Sequence, residues 1–175
     1  HKNLLIFLLV CMLITTTYGC ASRMERAARS GDIFKVRYYL DKGVDVNAKV
    51  LGSALRAAAY RGNIEIVELL IDKGADVNAR SSDGSTALLS AAMAKQSDMV
   101  KTLLAWGADP NAKDDKTGMN TLMYVLGLGQ PDLVQALLEK GADVNAKDHR
   151  YSMTALMMAA DKGSIDEVNI LIKKG

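Results

Sequence analysis

The chain has 175 residues, 49% of them apolar, and carries a formal charge of +2; this suits one domain of ordinary size. Without Lys2 the charge falls to +1, and the signs are interspersed along the chain, so no electrostatic footprint for nucleic acid is expected. Two cysteines, Cys11 and Cys20, are too few for a disulfide framework or a metal site.

The first segment has the layout of a secretory signal peptide. Lys2 gives a positive start, Leu4 to Ile14 an apolar run, and Thr15 to Gly19 a small, polar exit. The run is shorter than the roughly 20 residues a helix needs to cross a hydrocarbon core. A buried core helix is the competing reading, and it fits poorly because the run is apolar on every side. Residues 1–19 are therefore expected to be removed before Cys20. Thr17-Tyr18-Gly19-Cys20 resembles a relaxed bacterial lipobox, with Thr17 where an aliphatic residue is usual. Two outcomes stay open: lipidation of Cys20, giving a membrane anchor, or ordinary cleavage before Cys20 or after Ala21. Ala21, instead of Asp, after the cysteine points by analogy to the outer membrane; without lipid the protein is soluble in the periplasm or secreted.

Residues 20–175 are organised by repetition. Ser22 is a candidate N-cap for a first helix on Met24, Ala27 and Ala28, with Ile33, Val36, Tyr39 and Leu40 forming the next. Arg23, Glu25, Arg26 and Arg29 give that first helix the polar outer face that a terminal unit needs. After a shortened finger, Ser53-Ala54-Leu55-Arg56 opens the second unit, and Ile64, Val67, Leu69, Leu70 and Ile71 give its second helix an apolar face. Lys73-Gly74 stops that helix, and Ala75-Asp76-Val77-Asn78-Ala79 turns the chain outward. The third unit runs from Thr86-Ala87-Leu88-Leu89 to Trp106-Gly107. The fourth opens at Asn120-Thr121-Leu122-Met123 with Pro131 at the start of its second helix, and the fifth at Thr154-Ala155-Leu156-Met157. Gly43, Gly74, Gly107, Gly141 and Gly175 recur at spacings of 31, 33, 34 and 34, the period of a stacked helical array.

These residues resemble the ankyrin-repeat family over Ser22 to Gly175, in units of about 22–49, 50–80, 81–113, 114–147 and 148–175. The resemblance implies an all-α solenoid of about five helix-turn-helix units with β-turn fingers. It departs from the family at T-P-L-H: Arg56, Leu89, Met123 and Met157 replace the histidine, and Ala54, Ala87, Thr121 and Ala155 the proline. Van der Waals contact, with methionine as filler, is expected to take over the ties those side chains make between turns. The last unit stops before Ala-Asp-Val-Asn and lacks a charged outer face, and the chain starts at His1. Both ends are therefore expected to continue.

No catalytic constellation is expected. His149 sits on a finger tip with no nucleophile at a meaningful spacing, Asp114-Asp115 between Lys113 and Lys116 reads as a solvated turn, and no Gly-rich phosphate loop is present. No cofactor, metal or small-molecule substrate follows from the sequence. The resemblance instead implies protein binding through the concave face. Its contact positions are Ser82, Asp83, Ser85, Lys116, Thr117, Met119, Arg150, Tyr151 and Met153 on the fingers. On the inner helices they are Tyr60, Arg61, Met93, Ala94, Leu128, Asp161 and Lys162. Tyr60, Arg61, Met93, Arg150, Tyr151 and Met153 are the expected anchors, since Tyr, Arg and Met are enriched at interfaces. The alternatives are a secreted effector whose activity lies beyond Gly175, and an envelope spacer without a specific partner.

Overall fold

The computed structural model describes residues 19–48, 54–81 and 83–175; the signal-peptide expectation, the shortened finger at 49–53 and Ser82 lie outside them. Helices alternate in pairs along the chain: α1 (19–30) with α2 (Ile33–Asp41), α3 (Ala54–Arg61) with α4 (Ile64–Asp72), and α5 (Ala87–Met93) with α6 (Ser97–Ala105). The last two pairs are α7 (Thr121–Val125) with α8 (Pro131–Glu139), and α9 (Ala155–Asp161) with α10 (Ile165–Lys174). The first helices pack in a row, α3 on α5, α5 on α7 and α7 on α9, and each also packs on its own second helix.

Local chemistry sets several of the helix ends. The side chains of Asp32, Thr86, Asn120 and Thr154 accept from the backbone N–H three residues on, the bond that an N-cap supplies. Asn120 thus does the work of the threonine. At the other end Gly74, with φ of +88°, lets its own N–H reach Ile71 O (2.9 Å) and the Ala75 N–H reach Leu70 O (2.9 Å). Ser22 is not an N-cap, because the helix already runs through it; its hydroxyl donates back to Gly19 O at 3.1 Å.

One core runs the length of the stack. First helices contribute small residues such as Ala28, Ala58 and Ala91, and second helices contribute Val36, Val67, Val100 and Val134, all fully buried. Small residues in the first row let those helices approach closely, so each unit buries its apolar face against its neighbours.

Hydrogen bonds also join the units. Asp45, Asp76 and Asp109 each accept from the N–H two residues on, which closes their own turn. The asparagine at that second position then reaches the next unit. Asn47 donates to Gly74 O (2.9 Å) and accepts from the Asp76 N–H (2.9 Å); Asn78 does the same with Gly107 and Asp109, and Asn111 with Gly141 and Asp143. This amide ladder adds directional bonds to the expected van der Waals ties.

The fourth unit departs from the pattern. Its first helix ends at Val125, and Leu126 turns out of helical conformation before Gly127-Leu128-Gly129. Leu128 is therefore not an inner-helix residue; it sits half-buried in this turn against the core. The fifth unit satisfies the freed backbone groups: Lys162 Nζ donates to Leu126 O (2.6 Å), and Glu167 Oε2 accepts from the Gly127 N–H (2.9 Å).

Candidate interaction surface

Three finger turns lie side by side beyond the first-helix row. Each closes on itself, through Ser81 N–H to Ser85 O, Asp114 N–H to Met119 O, and Asp148 N–H to Met153 O, at 3.0–3.1 Å. Each also touches the next by one backbone bond, Asp115 N–H to Asp83 O (3.2 Å) and His149 N–H to Thr117 O (2.8 Å). The His149 ring covers Gly118 so closely that a Cβ there would collide with it. Arg80 reaches across to Asp115 Oδ1 (2.8 Å) and Lys113 O (3.2 Å). The fingers therefore form a connected edge.

Two finger positions are not as expected. Ser85 is 4% exposed, held by its N–H to Asp83 Oδ1 and its carbonyl to Ser81, so it is no contact residue. Asp114 is 7% exposed, and the turn is not solvated there: its carboxylate accepts from the Lys116 and Thr117 N–H groups (2.7 and 3.0 Å) and from Tyr124 OH. An acidic pair flanked by lysines looks like a solvated turn in sequence. Here one member ties the turn and the other, Asp115, pairs with Arg80.

Other positions face solvent. Tyr60 is 50% and Met93 46% exposed, at equivalent places on the packed helices α3 and α5. Arg61, Asp161 and Lys116 are exposed as well, and Tyr151 is 68% exposed with the Arg150 guanidinium 5.2 Å from its ring centre. Thr117, Met119 and Met153 are half-buried, the first bonding Tyr124 OH and the last donating its N–H to Asp148. Lys162 is exposed, but its ammonium already serves Leu126.

Bonds and burial within the fold shift several titratable groups. The Ser81 hydroxyl and then the Ser85 N–H hold the Asp83 carboxyl down to about 2. Burial pushes Glu25 up, with Arg29 and Arg56 pulling the other way. Burial also raises Tyr124. An open hollow of about 280 Å³ lies between the starts of α2 and α4, lined by Gly31, Ile33, Gly62, Asn63 and Glu65 among others, away from the fingers.

Sequence reasoning missed three exposed aromatics on the second helices and their ends. Phe34 stands where later units have Glu65, Asp98, Asp132 and Asp166, and Trp106 where others have Lys42, Lys73, Lys140 and Lys174. Tyr38, beside Phe34 on α2, has Lys42 Nζ 5.7 Å from its ring centre. Aligning the units by their glycines is the signal that exposes these substitutions.

A family model for ankyrin repeats, in its three-copy form, matches residues 24–114 and 113–175. The chain belongs to the ankyrin-repeat family. No curated protein matches it. Ankyrin repeats are protein-interaction scaffolds, and the family is typically non-catalytic. In this ankyrin array the first helices and finger turns hold Tyr60, Met93, Arg150 and Tyr151 on elements fixed by packing and cross-finger bonds.

Proposed function

We propose that this ankyrin-repeat protein is a non-catalytic scaffold of the bacterial cell envelope that binds a partner protein through its first-helix row and finger tips. The observation that supports this most is the exposure of Tyr60 and Met93 at matching positions of adjacent units, with Tyr151 and Arg150 on the finger edge. Large side chains of the kinds enriched at interfaces stand there on a rigid base, so little ordering entropy is lost on binding. Alanine at Tyr60, Met93, Arg150 and Tyr151 together tests the reading. Capture of the partner by the full chain from envelope extract should disappear while the far-UV circular dichroism stays unchanged; undiminished capture would refute it.

Export and anchoring belong to the same proposal and rest on the leader. Among the described residues no helix is long and apolar enough to cross a membrane, and Cys20 is a free, half-buried residue in the first turn of α1. The mass of the mature N-terminal peptide decides the point. Two or three acyl chains on Cys20 would place the scaffold at a membrane surface, since each buried CH₂ adds about 0.8 kcal/mol. An unmodified N-terminus at Cys20 or Ser22 would make it soluble and remove the anchor from the account.

A further inference from the structure

The small net charge conceals a division between the two sides of the array. The first helices and fingers, residues 19–31, 54–62, 79–95, 112–129 and 146–163, carry twelve Lys and Arg against six Asp and Glu. The second helices and the turns after them, residues 32–48, 63–78, 96–111, 130–145 and 164–175, carry eight against fourteen. Interspersed in sequence, the signs divide between the two sides once the units are summed, most clearly in the second unit.

Accessibility sharpens the contrast. Five of the six carboxylates on the first-helix side are engaged within the fold. Glu25 pairs with Arg29, Asp115 with Arg80, and Asp83, Asp114 and Asp148 accept from their own turns. Ten of the twelve cations there are exposed, and setting aside Arg29, Arg80 and Lys162, which are engaged within the fold, seven others remain, among them Arg61 on the helix row, Lys95 in the turn after α5, and Lys116, Lys147 and Arg150 on the fingers. That side therefore presents positive charge to an approaching molecule.

The geometry points to an acidic protein segment, Asp- and Glu-rich with interleaved aromatic or aliphatic residues, as what this face binds. The inference rests on the proposed binding face and adds the chemistry of its partner. Two features favour such a segment over a nucleic acid. The cations are not a continuous track: α7 carries no charged residue, and Tyr60, Met93 and Tyr151 stand among the positive groups. A uniform polyanion, with a phosphate at every step, would leave charges opposite those apolar gaps; alternating acidic and apolar side chains would not.

The test uses the full chain and fluorescence anisotropy with a labelled random copolymer of glutamate and tyrosine. Comparison probes are polyglutamate, polylysine and single-stranded DNA of similar length. The copolymer should bind most tightly, and raising salt from about 50 mM to about 500 mM should weaken it, as expected for exposed charge. The paired reversal Arg61→Glu and Arg150→Glu should weaken binding by about ten-fold or more, while Lys73→Glu with Lys101→Glu on the other side should change it by less than about two-fold. All four positions are exposed, so folding should survive, with circular dichroism as the check. Failure to bind the copolymer, tighter binding of DNA or polylysine, or equal sensitivity to both reversals overturns the acidic-partner inference. If partner capture from extract still depends on Tyr60 and Met93 in that case, the binding face stands and only its charge preference fails. If neither assay depends on first-helix or finger residues, both fail.

Discussion

Glu167 is the clearest place where one side chain holds two repeats together. It is 2% exposed and occupies the position that Ile66, Met99 and Leu133 fill in earlier units. Its Oε2 accepts the Gly127 N–H freed where α7 breaks, while Oε1 is buried without a hydrogen-bond partner. In Glu167→Ala the hydrogen bond to a charged acceptor is lost, worth about 1.5–3 kcal/mol, at the lower end here because Gly127 can be reached by water. The side-chain methylenes lose burial as well, about 0.8 kcal/mol each. Removing a partly unsatisfied buried carboxylate returns some of this, so the net cost should be about 2 kcal/mol. Glu167→Gln keeps the shape and a carbonyl acceptor and should lie within about 1 kcal/mol of the parent. Glu167→Leu restores the apolar residue of the other units but leaves the N–H without its acceptor, and should fall between them. Urea unfolding followed at 222 nm measures the order, with exposed Asp166→Ala as control, expected within about 0.5 kcal/mol. Hydrogen exchange at the Gly127 amide should speed up in the Ala and Leu variants and not in Gln. If Gln is as costly as Ala, the carboxylate acts through charge and the acceptor argument is wrong; if Ala matches Asp166→Ala, the site carries no weight.

Lys95 has φ of +60° at a helix–helix turn where other units place Gly31, Gly62, Gly129 and Gly163. Lys95→Gly should therefore stabilise the chain by about 0.5–1 kcal/mol in urea unfolding, since the left-handed strain exceeds glycine's extra unfolded-state entropy. Asn78→Ala removes both rungs to Gly107 and Asp109 and should cost about 1–2 kcal/mol in urea unfolding. Asp83 should titrate near 2 by carbon NMR of its carboxyl group, and Ser81→Ala should move it toward 3.8. Because its folded value is depressed, the stability it contributes is complete above 3.8 and is lost as pH falls through about 2; Asp83→Asn should flatten that part of the acid limb.

The array was legible because its signals are local and repeated. Positive-φ glycines such as Gly74 stop the helices at fixed intervals, and apolar faces at helical spacing follow in each unit. What was not legible depends on bonds that form only once the turns have folded and on contacts between units. Ser85 and Asp114 are buried by bonds within neighbouring finger residues, and nothing in their composition separates them from exposed turn residues. The break at Leu126 could be suspected from Gly127 and Gly129, but its repair by Lys162, at the end of α9, and Glu167, in α10, comes from about forty residues on. The charge division is invisible to a running average, because it emerges only when the first halves and the second halves are summed over the five units.

Site-specific photocrosslinking of the full chain in envelope extract locates the partner on the array. A photoreactive residue would replace Tyr60, Met93 or Tyr151 on the binding face, or Phe34 or Trp106 on the second-helix side, all exposed. One common adduct should form from Tyr60, Met93 and Tyr151, and none of that mass from Phe34 or Trp106. Adducts from Phe34 and Trp106 alone, or none from the first-helix and finger positions, would contradict the proposed binding face.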